Sequence, residues 1–186
     1  MSENAKEGIL AAARRTAQAH GYGGLNLRDI ASAVGIKAAS IYHHFPSKAD
    51  LGAAVAKRYW EDTAKKLEAL SAATADPLKA LHAYPGLFRE ALEAENRMCL
   101  AGFMAAEYDD LPDVVKTEVQ TFADINVAWL TRMLAAASPH ESGHEERARA
   151  IFAAIGGAQV MARSRADLDL FDALIESFRK SGLLPS

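Results

Sequence analysis

Three features of the chain predict an all-α fold. Hydrophobic residues fill 50% of its 186 positions while only 6 are proline, so uninterrupted helices with a core-forming stripe fit most of its length. Alanine, the strongest helix former, is abundant throughout. Apolar residues recur at three- and four-residue intervals from Ile9 to Phe178, the period of amphipathic helices rather than the alternation of strands. About nine helices are expected, as an N-terminal three-helix head followed by a longer helical body. A chain of this size is one or two domains with a sizeable core.

The head reads clearly. Ile9, Leu10, Ala13 and Ala17 form the stripe of a first helix that ends at His20-Gly21, and Gly23-Gly24 turn the chain. Leu27, Ile30, Ala31 and Val34 mark a second helix, with Asn26 as N-cap, Asp29 three residues on and Gly35 as its stop. A third helix over 38–44 anchors itself with Ile41 and Phe45 and turns Lys37, Ala39, Ser40 and His43 outward. Two short helices around a tight turn are the layout of a DNA-reading helix-turn-helix, with the third helix as its reader. Ala38 and Ala39 allow close approach to base edges, either methyl suits a thymine methyl, and the Ser40 hydroxyl bonds bases. Asn26, Arg28, Lys37, Tyr42, His44 and Lys48 supply the donors and cations that clamp phosphates. Tyr42 has a core alternative, because aromatic side chains more often fill interiors. Charge agrees: residues 1–50 carry 6 Lys+Arg against 4 Asp+Glu, and the remainder 15 against 20, within a net charge of −3.

In the body, Ser47 to Asp50 reads as a capping box that opens a long helix to about residue 73, with Leu51, Val55, Tyr59, Leu67 and Leu70 inward. Asp76-Pro77 starts the next helix; Pro85 breaks it near Tyr84 and leaves a separate segment through Arg97. Residues 98–107 read as a short apolar helix. Leu111-Pro112 opens a long one to about Ala137, and 138–143 form a loop. Ser142 to Glu145 reads as a further capping box ahead of a helix with Ala148, Ile151, Phe152, Ile155 and Gln159 on one side. The last helix, about 168–181, carries Leu168, Phe171, Leu174, Ile175 and Phe178 and stops at Gly182. Gly156-Gly157 in mid-helix suits a close helix approach. These two helices look like half of a four-helix dimer interface, with intrachain packing as the alternative.

The segment NLRDIASAVGIKAASIYHHFPSKADL, at 26–51, resembles the TetR family of transcriptional regulators, and the likeness covers residues 5–51. Asn26 stands where the family usually has threonine or serine, and it still caps and bonds a phosphate. Ala38 and Ala39 leave the reading helix few long side chains, which gives Lys37, Ser40 and His43 more weight. The resemblance implies a DNA-binding domain at 1–47 and an effector-binding and dimerisation domain at 48–186. It further implies a homodimer on a palindromic operator, most simply a repressor, released by a small-molecule effector of unknown identity.

Trp60, Phe88, Leu92, Met98, Phe103, Met104, Phe122, Asn126, Trp129 and Met133 concentrate aromatic and methionine side chains in mid-body, the lining of an adaptable pocket or simply core. Cys99, in RMCLAGFMAAE, joins that set. Its segment resembles the cysteine-leading helix of TetR regulators that sense electrophiles and oxidants, with Arg97 and a helix N-terminus favouring a thiolate; a buried inert cysteine is the alternative. His140-Glu141-Ser142-Gly143-His144 matches the H-E-x-x-H of zinc hydrolases, but Pro139, Ser142 and Gly143 favour a loop, so no metal and no enzyme activity is expected. No cofactor is expected. The lack of an 18-residue apolar run or a signal segment, together with a lone cysteine, leads to the expectation of a cytoplasmic protein without membrane contact.

Overall fold

The computed structural model describes residues 2–185, with side chains from residue 5 onward. Among these are ten α-helices, one 3-10 turn and no strand, and no helix is long and apolar enough to cross a membrane. The all-α expectation holds. Packing divides the chain into two units: one runs through Glu61 and takes in Leu100–Phe122, and the other comprises Asp62–Cys99 with the chain from Ala123 onward.

In the first unit α1 (Ser2–His20) ends on Gly21, which adopts the left-handed φ of +69°. Helix α2 (Leu27–Ala33) begins where Asn26 Oδ1 accepts the backbone N–H groups of Arg28 and Asp29, at 2.9 and 3.4 Å. The predicted N-cap is therefore present, and Gly35 takes the left-handed conformation at φ +71° beyond the helix. Helix α3 (Ala38–His44) has the predicted bounds and hangs on Ile41, 0% exposed, and the C-cap residue Phe45, 3% exposed. Burying two such side chains is worth about 1.5–3 kcal/mol each. They fix the rotation of a helix too short to be stable alone.

Helix α4 (Lys48–Ala72) opens as predicted: the Asp50 N–H donates to Ser47 Oγ at 3.1 Å, and Ser47 Oγ donates to the Asp50 carboxylate at 2.6 Å. Leu51, Val55 and Tyr59 are buried in its first half. Helix α7 (Leu100–Ala105), the 3-10 turn Tyr108–Asp110 and the start of α8 (Asp113–Ala137) complete this unit, with Leu100, Met104, Leu111 and Val115 in its core. Gly52 is needed where it stands, since a Cβ there would fall 2.7 Å from the Tyr22 ring.

In the second unit α5 (Pro77–Ala83) is capped by Asp76, whose Oδ1 accepts the Leu78 N–H at 2.9 Å, and Pro85 separates it from α6 (Gly86–Glu93) as predicted. The segment expected to continue through Arg97 stops four residues sooner. Glu95 and Asn96 turn into positive φ, and the Arg97 N–H closes on the Ala91 carbonyl at 2.8 Å, while Asn96 Nδ2 donates to the Arg163 carbonyl at 3.0 Å. Asparagine tolerates this conformation, so the stop needs no glycine. Consequently Met98 and Cys99 precede α7 rather than open it.

Helix α9 (His144–Arg165) corrects a further expectation. Its N-cap is Gly143, in the left-handed conformation at φ +78° and without a side-chain cap bond, so Ser142 lies one residue outside and caps nothing. Helix α10 (Leu168–Lys180) is capped by Asp167 Oδ1 on the Leu170 N–H at 3.0 Å and packs on α9 and α6.

Candidate nucleic-acid interface and effector region

On α3 and its borders Lys37, Ala38, Ala39, Ser40, Tyr42 and His43 are exposed, and His44 is half-buried with its ring edge-on to His43. Tyr42 is 46% exposed, which excludes the core alternative for that residue. Asn26 and Arg28 at the start of α2 are exposed as well. The ten residues expected to meet DNA thus belong to one unit and keep polar or methyl groups outward while Ile30, Ile41 and Phe45 hold their helices from inside. Lys48 is more constrained: its ammonium donates to the Gly23 carbonyl at 2.9 Å and lies 4.7 Å from the Tyr22 ring centroid. Two of its three N–H donors stay available.

The residues predicted to line a pocket are divided between the two units. Trp60, Phe103 and Phe122 lie in the first unit, where Trp60 Nε1 donates to Glu118 Oε2 at 2.6 Å and Phe122 packs on Tyr59 with centroids 5.3 Å apart. Met104 is fully buried there. In the second unit Phe88, Leu92, Cys99, Asn126 and Trp129 are buried, and Met98 and Met133 half-buried. Three of them, Phe88, Asn126 and Trp129, contact Tyr84, a residue that entered the sequence analysis only as the place of a break. Tyr84 is 0% exposed, donates to Asn126 Oδ1 at 2.8 Å, stacks on Trp129 at 5.5 Å and meets Phe88 edge-on at 5.6 Å. Burial, with Cys99 adding to it, pushes the Tyr84 phenol well above its ordinary range, so it is a neutral hydrogen-bond donor. Trp129 Nε1 donates in turn to Ser71 Oγ at 2.8 Å. Trp129 also borders a surface groove of about 250 Å³ with Ala64, Leu67, Ile125 and Ala128, across which Glu68 and Arg132 pair at 2.6 Å.

Cys99 is 6% exposed, and its backbone N–H donates to Gln159 Oε1 at 2.9 Å. Gln159 Nε2 donates to the Phe88 carbonyl at 2.8 Å. A glutamine placed at the subunit interface by its spacing is therefore an internal bridge between α9, α6 and the entry to α7. The same correction covers Ile151, Ile155, Phe171 and Ile175, all buried by their own chain, because the apolar stripes of α9 and α10 face each other and α6. Phe152, Leu168, Leu174 and Phe178 remain half-buried. The outward face of α9 instead carries Ala150, Ala153, Gly157, Val160 and Met161, the last two 50% and 45% exposed. A Cβ built at Gly156 or Gly157 meets nothing in the chain.

Beside α10 a second groove of about 390 Å³ contains a two-pronged pair: Arg89 Nε and one terminal nitrogen donate to the two Asp172 oxygens at 2.8 and 2.9 Å. Those hydrogen bonds hold the Asp172 carboxyl below its usual range. The H-E-x-x-H segment is not a helix: His140 and Glu141 stand in a turn and only His144 enters α9, so the two imidazoles share no helical face.

Comparison with known proteins places these observations. Residues 9–55 match the family model described as bacterial regulatory proteins, tetR family. Nearly the whole chain superposes on solved structures. One is a TetR-family transcriptional regulator from Agrobacterium tumefaciens, at TM-score 0.91 and 28% identity over 97% of this chain and 98% of that one. Another is a TetR transcriptional regulator from Legionella pneumophila, at TM-score 0.88 and 28% identity over 95% and 96%. The transcriptional regulator FadR from Bacillus subtilis, solved in complex with stearoyl-CoA, shares the fold at TM-score 0.72 and 18% identity over 91% and 95%. No curated protein matches the chain. A helix-turn-helix with α3 exposed, the family model over that segment and end-to-end superposition on such regulators lead to one conclusion: residues 9–55 form a helix-turn-helix of the tetR-family type, and the chain has the fold of TetR-family transcriptional regulators.

Proposed function

We propose that the chain acts as a homodimeric repressor that holds a palindromic operator through α3 and leaves it when a small molecule binds the body. Residues 1–47 are the DNA-binding part, and 48–186 take the effector and the second subunit. The observation that carries the DNA reading is α3 itself: seven residues pinned by Ile41 and Phe45, with Lys37 to Ser40, Tyr42 and His43 outward. Asn26, Arg28, His44 and Lys48 flank it as phosphate ligands, the usual division between positioning and base-reading contacts. Dimer formation is supported by the apolar outward face of α9, where Gly157 beside Val160 and Met161 leaves room for a neighbouring backbone. An effector bearing an apolar part suits the groove beside Trp129, and the FadR relative with stearoyl-CoA shows that one protein of this fold holds such a molecule.

The test is selection of bound fragments from the source genome by purified protein at a stated salt concentration, since phosphate contacts make affinity salt-dependent. An enriched palindrome, with half-sites about one helical turn apart or a near multiple, supports the reading. A bound population no different from random duplex overturns it.

A further inference from the structure

The turn between α1 and α2 is gripped from two sides by side chains remote in sequence. Glu107, just beyond α7, accepts the Tyr22 N–H on Oε2 at 2.6 Å and the Gly23 N–H on Oε1 at 2.9 Å. From the other side Lys48 donates to the Gly23 carbonyl at 2.9 Å. Consecutive N–H groups converging on one carboxylate form a small anion nest. Gly21 makes it possible twice over: its φ of +69° turns the backbone, and a Cβ there would fall 2.3 Å from Glu107 Oε2. All five residues belong to the first unit.

A carboxylate bonded to the head of a DNA-binding protein opposes the phosphates, so its place there calls for a gain elsewhere. The gripped turn leads in four residues from Tyr22 to Asn26, the cap of α2, and it shares Lys48 with the proposed phosphate contacts. We propose that Glu107 is a positioning residue for DNA recognition, fixing the α1–α2 turn so that Asn26 and Lys48 meet the backbone in register with α3. The proposal rests on the DNA-binding reading above. Glu107 also stands on the stretch that follows Cys99 and runs into α8, so the chain joins this clamp directly to segments of the other unit.

The experiment compares the full-length protein with Glu107→Gln and Glu107→Ala, on a selected operator and on random duplex, together with amide exchange at Tyr22 and Gly23. Charge alone predicts tighter binding when a negative group is removed. Positioning predicts the opposite: operator affinity about tenfold weaker in Glu107→Gln and lower still in Glu107→Ala, with random-duplex affinity unchanged or higher. Exchange at both amides accelerates at least about tenfold. Operator affinity equal to or above wild type overturns the proposal, whether or not exchange changes. Unprotected Tyr22 and Gly23 amides in the wild type also overturn it, and that measurement needs no variant to fold. A wild type that selects no operator sinks the DNA reading instead, and the exchange arm still decides whether the clamp exists.

Discussion

Replacing Gln159 by methionine isolates the bridge at the heart of the second unit. The side chain is 1% exposed, and methionine has similar length and enough flexibility to refill the space, so little cavity is created. Two hydrogen bonds are lost. The buried Cys99 N–H loses the Gln159 oxygen, at a cost of about 1–3 kcal/mol. The Phe88 carbonyl, by contrast, sits inside α6 and keeps the bond that its helical position provides, which makes its loss smaller. Methionine also escapes the desolvation of a buried amide. The sum is a destabilisation of about 2 kcal/mol, or roughly 4–8 °C in melting temperature for a chain of this size. The assay is urea unfolding at fixed protein concentration, because the proposed dimer would make stability concentration-dependent. A loss under about 0.5 kcal/mol with an unchanged denaturant slope refutes the view that Gln159 holds α6, α9 and the α7 entry together.

Other substitutions probe the remaining claims. Tyr42→Phe and Lys48→Ala each weaken binding to operator and random duplex alike, by about three- to tenfold, and Lys48→Ala reduces the salt slope by about 1; fluorescence anisotropy over a salt series measures both, and unchanged affinities refute the phosphate assignment. Val160→Glu with Met161→Glu gives a monomer at concentrations where the wild type sediments as a dimer; two indistinguishable sedimentation profiles contradict the α9 interface. Asp172 titrates below its ordinary value beside Arg89, so the pair stabilises the fold above the usual carboxylate range and loses that contribution as pH falls through the lowered value. Asp172→Asn is therefore less stable than the wild type at neutral pH, by under about 1 kcal/mol for a half-exposed pair, and the gap closes in acid as Asp172 takes up its proton. A gap that widens in acid contradicts that sign.

Much of the head was legible because its signals are local. Asn26, Gly35 and the Ile41–Phe45 pair each specify a cap, a stop or a buried face within a few residues, and α2 and α3 appear where those signals put them. The body is decided by packing at long range. Periodicity shows that α9 has an apolar stripe but not what covers it, so side chains expected at a subunit interface turned out to pack on α10 and α6. The same limit hid Tyr84, whose phenol anchors the interior, and the return of Leu100–Phe122 to the unit that contains the head. Polar residues on apolar stripes were the readable trace: Asn126 and Gln159 both stood out in sequence, and both are buried hydrogen-bonding centres. The end of α9 carried no signal, because alanine rather than glycine takes the left-handed C-cap at Ala166, φ +49°.

The central claim, that α3 reads the operator, is tested most directly by repeating the fragment selection with Ser40→Ala beside the wild type. If α3 is the reader, the enriched palindrome keeps its spacing while base preference relaxes at one position in each half-site, at a cost of about 1–3 kcal/mol for the formerly preferred base. An identical motif from both proteins, at equal affinity, would mean that Ser40 faces no base edge and that the orientation of α3 on DNA argued here is wrong.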